Sequence, residues 1–240
     1  MDTRNSNAAF PQTRWSIVAQ LGGDRESDAG VALAALCENY WAPLYAFARH
    51  KGKNPADAED LVQGFLAKIA ANSYLEKADA EKGKFRNFLL TGFRRYTNDE
   101  FKKEQAQRRG GGKEIISFET GEVEEWFQEV GGEAASPEAA FDQQWALSIV
   151  ENTMQRLAED WDRKGKGNEF DALRLFLTDS GDNEEYQKIA GQVGLSLPNF
   201  KIKLHRLRAK FGEFLRETVT ETLSDSEPVE DELRYFLDLL

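Results

Sequence analysis

Long segments of this chain place apolar residues three or four positions apart, the spacing of a single helix face, and predict an all-α protein. Near the start, Thr13 can cap a helix carrying Trp15, Val18 and Leu21. Residues 31–50 hold Leu33, Leu36, Tyr40, Leu44 and Phe47 at helical spacing. Pro43 interrupts this run and predicts two helical pieces, since proline removes a backbone donor inside a helix. Asn54-Pro55 reads as an N-cap followed by a first-turn proline, with Leu61, Phe65, Leu66 and Ile69 on the buried side. From Lys84 onward, Phe85, Phe88, Leu89, Phe93, Tyr96 and Phe101 mark one face of a long helix that Gly110–Gly112 should stop.

The pattern then fades. Between 111 and 135 only Trp126 and Phe127 stand out, which predicts a flexible acidic linker: so little apolar surface does not offset the entropy of ordering it. Ser136-Pro137-Glu138 restarts the helical pattern, and Phe141, Trp145, Ile149, Thr153, Leu157 and Trp161 line its inner face. A short helix over 170–177 should turn Leu173, Phe176 and Leu177 inward. Next, Ile189, Ala190 and Val193 precede Gly194, suited to a left-handed C-cap, and Ser196 caps a helix with Phe200, Leu204, Leu207, Phe211 and Leu215 inside. The predicted organisation is an N-terminal extension over 1–29, a helical domain over 30–110, the linker over 111–135, a second helical domain over 136–216, and an acidic tail over 217–240. That tail carries Leu233, Phe236, Leu237 and Leu240 on a short amphipathic helix, expected either to pack on the apolar side of the second domain or to mask the basic face 201–210.

Charge changes the picture because its sign is segregated. The 240-residue chain has a net charge of −11, which taken whole speaks against a nucleic-acid partner. Yet Glu114–Asp142 contains nine acids and no Lys or Arg, and eight acids follow Arg216 against the single cation Arg234. Two basic islands remain for an anionic polymer. Cys37 is the sole cysteine, so neither an intrachain disulfide nor a cysteine-based zinc site is available. With two histidines, His50 and His205, and no Gly-rich nucleotide fingerprint, a metal enzyme or hydrolase is poorly supported, and no cofactor is expected. The opening residues lack the apolar core of a signal peptide and no run approaches a membrane span, so a cytoplasmic protein with no membrane partner is expected.

Two stretches carry candidate chemistry. On the helix from Lys84, the cations Lys84, Arg86, Arg94, Arg95, Lys102 and Lys103 alternate with aromatics, a combination suited to phosphates and unstacked bases. Over 185–216, an Ala four residues before a turn Gly, a serine cap and a basic helix compose a helix-turn-helix, whose second helix would enter a major groove. Earlier, Asp57, Glu59 and Asp60 load the first turns of a helix where the dipole favours them, and Asp57, Asp60, Gln63 and Gly64 fall toward one side. Gly64 there leaves room for a partner to approach.

Together these segments resemble the extracytoplasmic-function (ECF) class of bacterial RNA polymerase sigma factors, within the sigma-70 family. ENYWAPLYAFARHKGKNPADAEDLVQGFLAKI and KGKFRNFLLTGFRRYTNDEFKKEQAQRR are similar to sigma region 2, with DAEDLVQ as a specific motif. EEYQKIAGQVGLSLPNFKIKLHRLRAKFGEFLR is similar to region 4, while FPQTRWS and VEDELRYFLDLL look like extensions of a longer subgroup. The resemblance implies a non-enzymatic, alternative promoter-specificity subunit that binds core RNA polymerase (β′ clamp helices and β flap) and promoter DNA, with an anti-sigma factor or other regulator as a further implied partner. It assigns Asp57, Glu59, Asp60 and Gln63 to the polymerase-binding surface. Lys84, Arg86, Arg94, Arg95 and Tyr96 fall to the opened −10 strand, with the loop Asp79–Lys84 holding a flipped base. Ser196, Asn199, Lys201, Lys203, His205 and Arg206 fall to the −35 element. The alternative from the residues alone is a helix-turn-helix regulator that binds duplex DNA without polymerase.

Overall fold

The computed structural model describes residues 39–71, 84–106, 121–178, 181–223 and 227–240. The expected Thr13 helix, Cys37, most of the loop Asp79–Lys84 and the Gly110–Gly112 stop lie outside the described residues. Within them the protein is all-α, and it divides into two compact units, Met1–Ser148 with Val219–Leu240, and Ile149–Thr218.

The first unit holds α1 (39–50), α2 (Pro55–Ala70), α3 (Phe85–Ala106), α4 (Gly121–Glu129), the opening half of α5 (Pro137–Asp162) and α9 (Val229–Leu239). Helix α2 starts as its sequence requires: Asn54 is extended and its side-chain oxygen accepts from the Asp57 amide at 2.9 Å, with Pro55 in the first turn. Asn54 Nδ2 in turn donates to the Asp57 carboxylate at 2.9 Å. The core is aromatic. Phe93 of α3 meets Phe47 at 5.7 Å and Phe65 at 5.2 Å between ring centroids, and Tyr40 meets Phe85 at 5.5 Å. Each such fully buried ring contributes roughly 1.5–3 kcal/mol over its exposed state.

Three expectations need correction here. Helix α1 runs without a break through Pro43, whose ring is buried; the flanking Tyr40, Leu44, Phe47 and Ala48 are all inaccessible, and their packing outweighs one missing backbone bond. The expected flexible linker contains α4, which is docked. Glu124 accepts from Arg49 Nη2 at 2.7 Å and Nε at 2.8 Å and from Tyr45 Oη at 2.6 Å, while the Arg49 guanidinium lies 4.8 Å from the Phe127 ring. Trp126 packs so closely on Gly131 that a Cβ there would lie 2.3 Å from the indole. Finally, the tail belongs to the first unit, where helix α9 packs its buried Phe236 against Trp145 of α5, with centroids 6.4 Å apart.

The second unit comprises the latter half of α5, α6 (Gly167–Arg174), α7 (Asn183–Gln192) and α8 (Leu197–Thr220) as far as Thr218. Its core gathers Leu157, Phe170, Leu173, Tyr186, Ala190, Phe200, Leu204 and Leu207. Phe176 meets Tyr186 edge-on at 4.9 Å and Phe200 at 5.9 Å. Asp182 and Glu185 form a capping box at the start of α7. Gly194 takes φ +68°, a backbone that side chains disfavour, and lets Leu195 N–H reach back to the Ala190 carbonyl at 2.9 Å. The chain then turns directly into α8.

Candidate nucleic-acid interface

The acidic side of α2 is set by its cap. Asp57 and Asp60 are exposed, whereas Glu59 and Gln63 are half-buried. Gly64 serves the protein's own interior: a Cβ there would lie 2.3 Å from the Tyr96 hydroxyl, so the glycine admits α3 rather than an outside partner.

Along α3 the candidate residues separate into two groups. Arg94 and Arg95 are exposed, Arg94 lying 4.0 Å from Glu138. Tyr96 is only 9% exposed: its ring packs 5.7 Å from Phe65 and beneath Lys68 Nζ at 4.3 Å, and burial pushes its hydroxyl up to about 12. At the other end, Lys84 and Arg86 both donate to the carboxylate of Glu232 on α9. Arg86 also faces Asp142 at 3.7 Å and stacks between Trp145 at 4.5 Å and Tyr235 at 4.4 Å from its Cζ. Desolvation lowers the pKa of both cations, and for Lys84 the neighbouring Arg86 charge lowers it further.

Ser196, just before α8, and Asn199, Lys201, His205 and Arg206 on it are exposed. Lys201 Nζ reaches Asn183 Oδ1 at 2.5 Å. Lys203 is half-buried and chelated by Glu169 of α6, at 2.5 and 2.6 Å from its two oxygens. Arg208, in the same basic run, donates to the Phe176 carbonyl at 2.7 Å and so ties α8 to the end of the α6 segment. One residue of the outward face escaped sequence reasoning. Ile202 is 51% exposed, at the helical spacing that joins Asn199 to Arg206. The signal was available: it is the apolar position of α8 out of phase with Phe200, Leu204 and Leu207.

The exposed cations of α3, above a core of aromatic rings and beside an acidic helix, lie within a segment that has a family match. Residues 36–107 match the model of Sigma-70 region 2. That match supports a sigma-70 family member. A sigma-70 region 2 implies binding to core RNA polymerase and to promoter DNA, and the match spans the described α1, α2 and α3. The second unit lies outside the matched residues. Comparison of the chain with curated proteins and with solved structures finds no significant match. Among the described residues there is no group of side chains able to hold a metal ion, and no helix is long and apolar enough to cross a membrane.

Proposed function

We infer that the chain is an alternative sigma factor of the extracytoplasmic-function type, a cytoplasmic, non-enzymatic subunit that directs core RNA polymerase to promoters and opens the −10 element. The observation that carries this is the coincidence of the sigma-70 region 2 match with α3, whose Arg94 and Arg95 project from an aromatic core as phosphate contacts must. Asp57, Glu59, Asp60 and Gln63 would face the polymerase clamp, Asp57 and Asp60 being the exposed pair among them. In the second unit, α7, the Gly194 turn and α8 form a helix-turn-helix that would present Ser196, Asn199, Lys201, His205 and Arg206 to the −35 element, with Lys203 reaching it once released from Glu169.

The test is reconstitution. Purified protein added to core polymerase should give promoter-dependent transcripts, and Asp60→Lys should weaken core binding by about tenfold or more, since it reverses a charge at an interface. Absence of core binding, under conditions where another sigma factor binds, would refute the assignment. Tight duplex binding without polymerase, and no transcript with it, would favour a free-standing regulator instead.

A further inference from the structure

Glu232 is 1% exposed, which a carboxylate tolerates only when charge and hydrogen bonds replace its water. Here Lys84 Nζ and Arg86 Nη1 supply both. One turn further along α9, the Tyr235 ring lies 5.8 Å from Lys84 Nζ and 4.4 Å from Arg86 Cζ, and its hydroxyl donates to Asp142 at 2.7 Å. An anionic oxygen pair on two cations, with an aromatic face stacked beside them, reproduces what one nucleotide of an unpaired strand offers: phosphate for Lys and Arg, and a base plane for the guanidinium. We propose that α9 is an intrachain occupant of the strand-binding site on α3, with Glu232 standing in for a phosphate and Tyr235 for a base, so that DNA reaches Lys84 and Arg86 only as α9 leaves. This rests on the reading of α3 as the helix that meets the opened strand.

Helix α9 is short. It has eleven residues, a length at which an isolated helix is marginal, and its hold depends on Glu232, Tyr235 and Phe236 while Leu237 and Leu240 stay exposed at 64% and 63%. Arg94 and Arg95 remain exposed on α3 when α9 is seated, so an incoming strand can engage them first. Burial lowers the pKa of both Lys84 and Arg86 in this seated arrangement, and for Lys84 the neighbouring Arg86 charge lowers it further.

The test uses the full chain and a fluorescein-labelled, single-stranded, mixed-sequence 20-nucleotide DNA. Glu232→Gln should bind it about tenfold more tightly than the wild type in anisotropy titrations at low salt, and the gain should shrink as salt is raised. Independently of any folding effect of that substitution, saturating the wild type with the DNA should speed hydrogen exchange across 229–239 at least fivefold. Affinity of the variant equal to or below wild type, with exchange over 229–239 unchanged by bound DNA, overturns the proposal. Core-polymerase binding by the same wild-type sample separates the two levels. If it binds core polymerase but DNA leaves α9 seated, only the occupant role fails. If it binds neither polymerase nor DNA, the sigma assignment beneath it fails.

Discussion

Replacing Gly64 by alanine asks how tightly α2 and α3 are pressed together. The added Cβ would lie 2.3 Å from the Tyr96 hydroxyl oxygen, about 1 Å inside ordinary contact, yet 3.4 Å from Cζ, which is tolerable. Tyr96 is buried between Phe65 and Lys68, so its ring has little room to retreat, and overpacking of this kind costs about 1–3 kcal/mol. Against that, alanine gains roughly 1 kcal/mol over glycine inside a helix. The single substitution should therefore be neutral to destabilising by about 2 kcal/mol. Removing the offending atom changes the sign: in a Tyr96→Phe background, Gly64→Ala should stabilise by about 1 kcal/mol. Urea denaturation of the four proteins, read by circular dichroism, gives the coupling as a double-mutant cycle, expected at about 1–3 kcal/mol. A coupling under about 0.5 kcal/mol would refute the claim that this glycine sets the helix spacing.

Two further predictions concern charge. The Arg49 hydrogen bonds hold the Glu124 carboxyl down to about 2, below its usual 4.5. A depressed pKa stabilises the folded state above the ordinary carboxylate range, and that contribution drains away as pH falls from about 4.5 toward about 2. The urea midpoint of the wild type should thus fall over this window more steeply than that of Glu124→Gln, and parallel slopes would contradict the pairing. Releasing Lys203 with Glu169→Gln should raise affinity for duplex −35 DNA about three- to tenfold at low salt, with the gain lost at high salt. An unchanged affinity would place Lys203 off the DNA.

What the sequence made legible was local. The apolar spacing located the buried faces of α2, α5 and α8 and most of that of α3, whose Phe101 is instead 52% exposed, and Asn54-Pro55, Ser136-Pro137 and Gly194 each act where their chemistry places them, with Ser136 Oγ accepting from Ala139 N–H at 3.1 Å. What it hid was complementarity over long separations. Glu124 looked like one more acid in an acidic run until Arg49, 75 residues away, turned out to hold it. Glu232 and Arg86, 146 residues apart, gave no periodic sign of each other. Helical phase puts Tyr96 on the apolar face where the structure buries it, whereas the resemblance assigns it to the strand; for Gly64, phase alone does not reveal that α3 rather than a partner covers that flank.

Docking of α4 divides the acidity of its segment into two kinds. Glu122, Glu125, Glu129 and Glu133 are exposed, whereas Glu124 anchors the helix through Arg49 and Tyr45. The negative field of the segment can therefore be changed through its exposed glutamates, while the fold contact rests on Glu124. Experiments that excise the whole stretch to study its charge would also strip α1 of its guanidinium's partner, and would confuse loss of field with loss of structure. Neutralising the four exposed glutamates alone keeps those two effects apart.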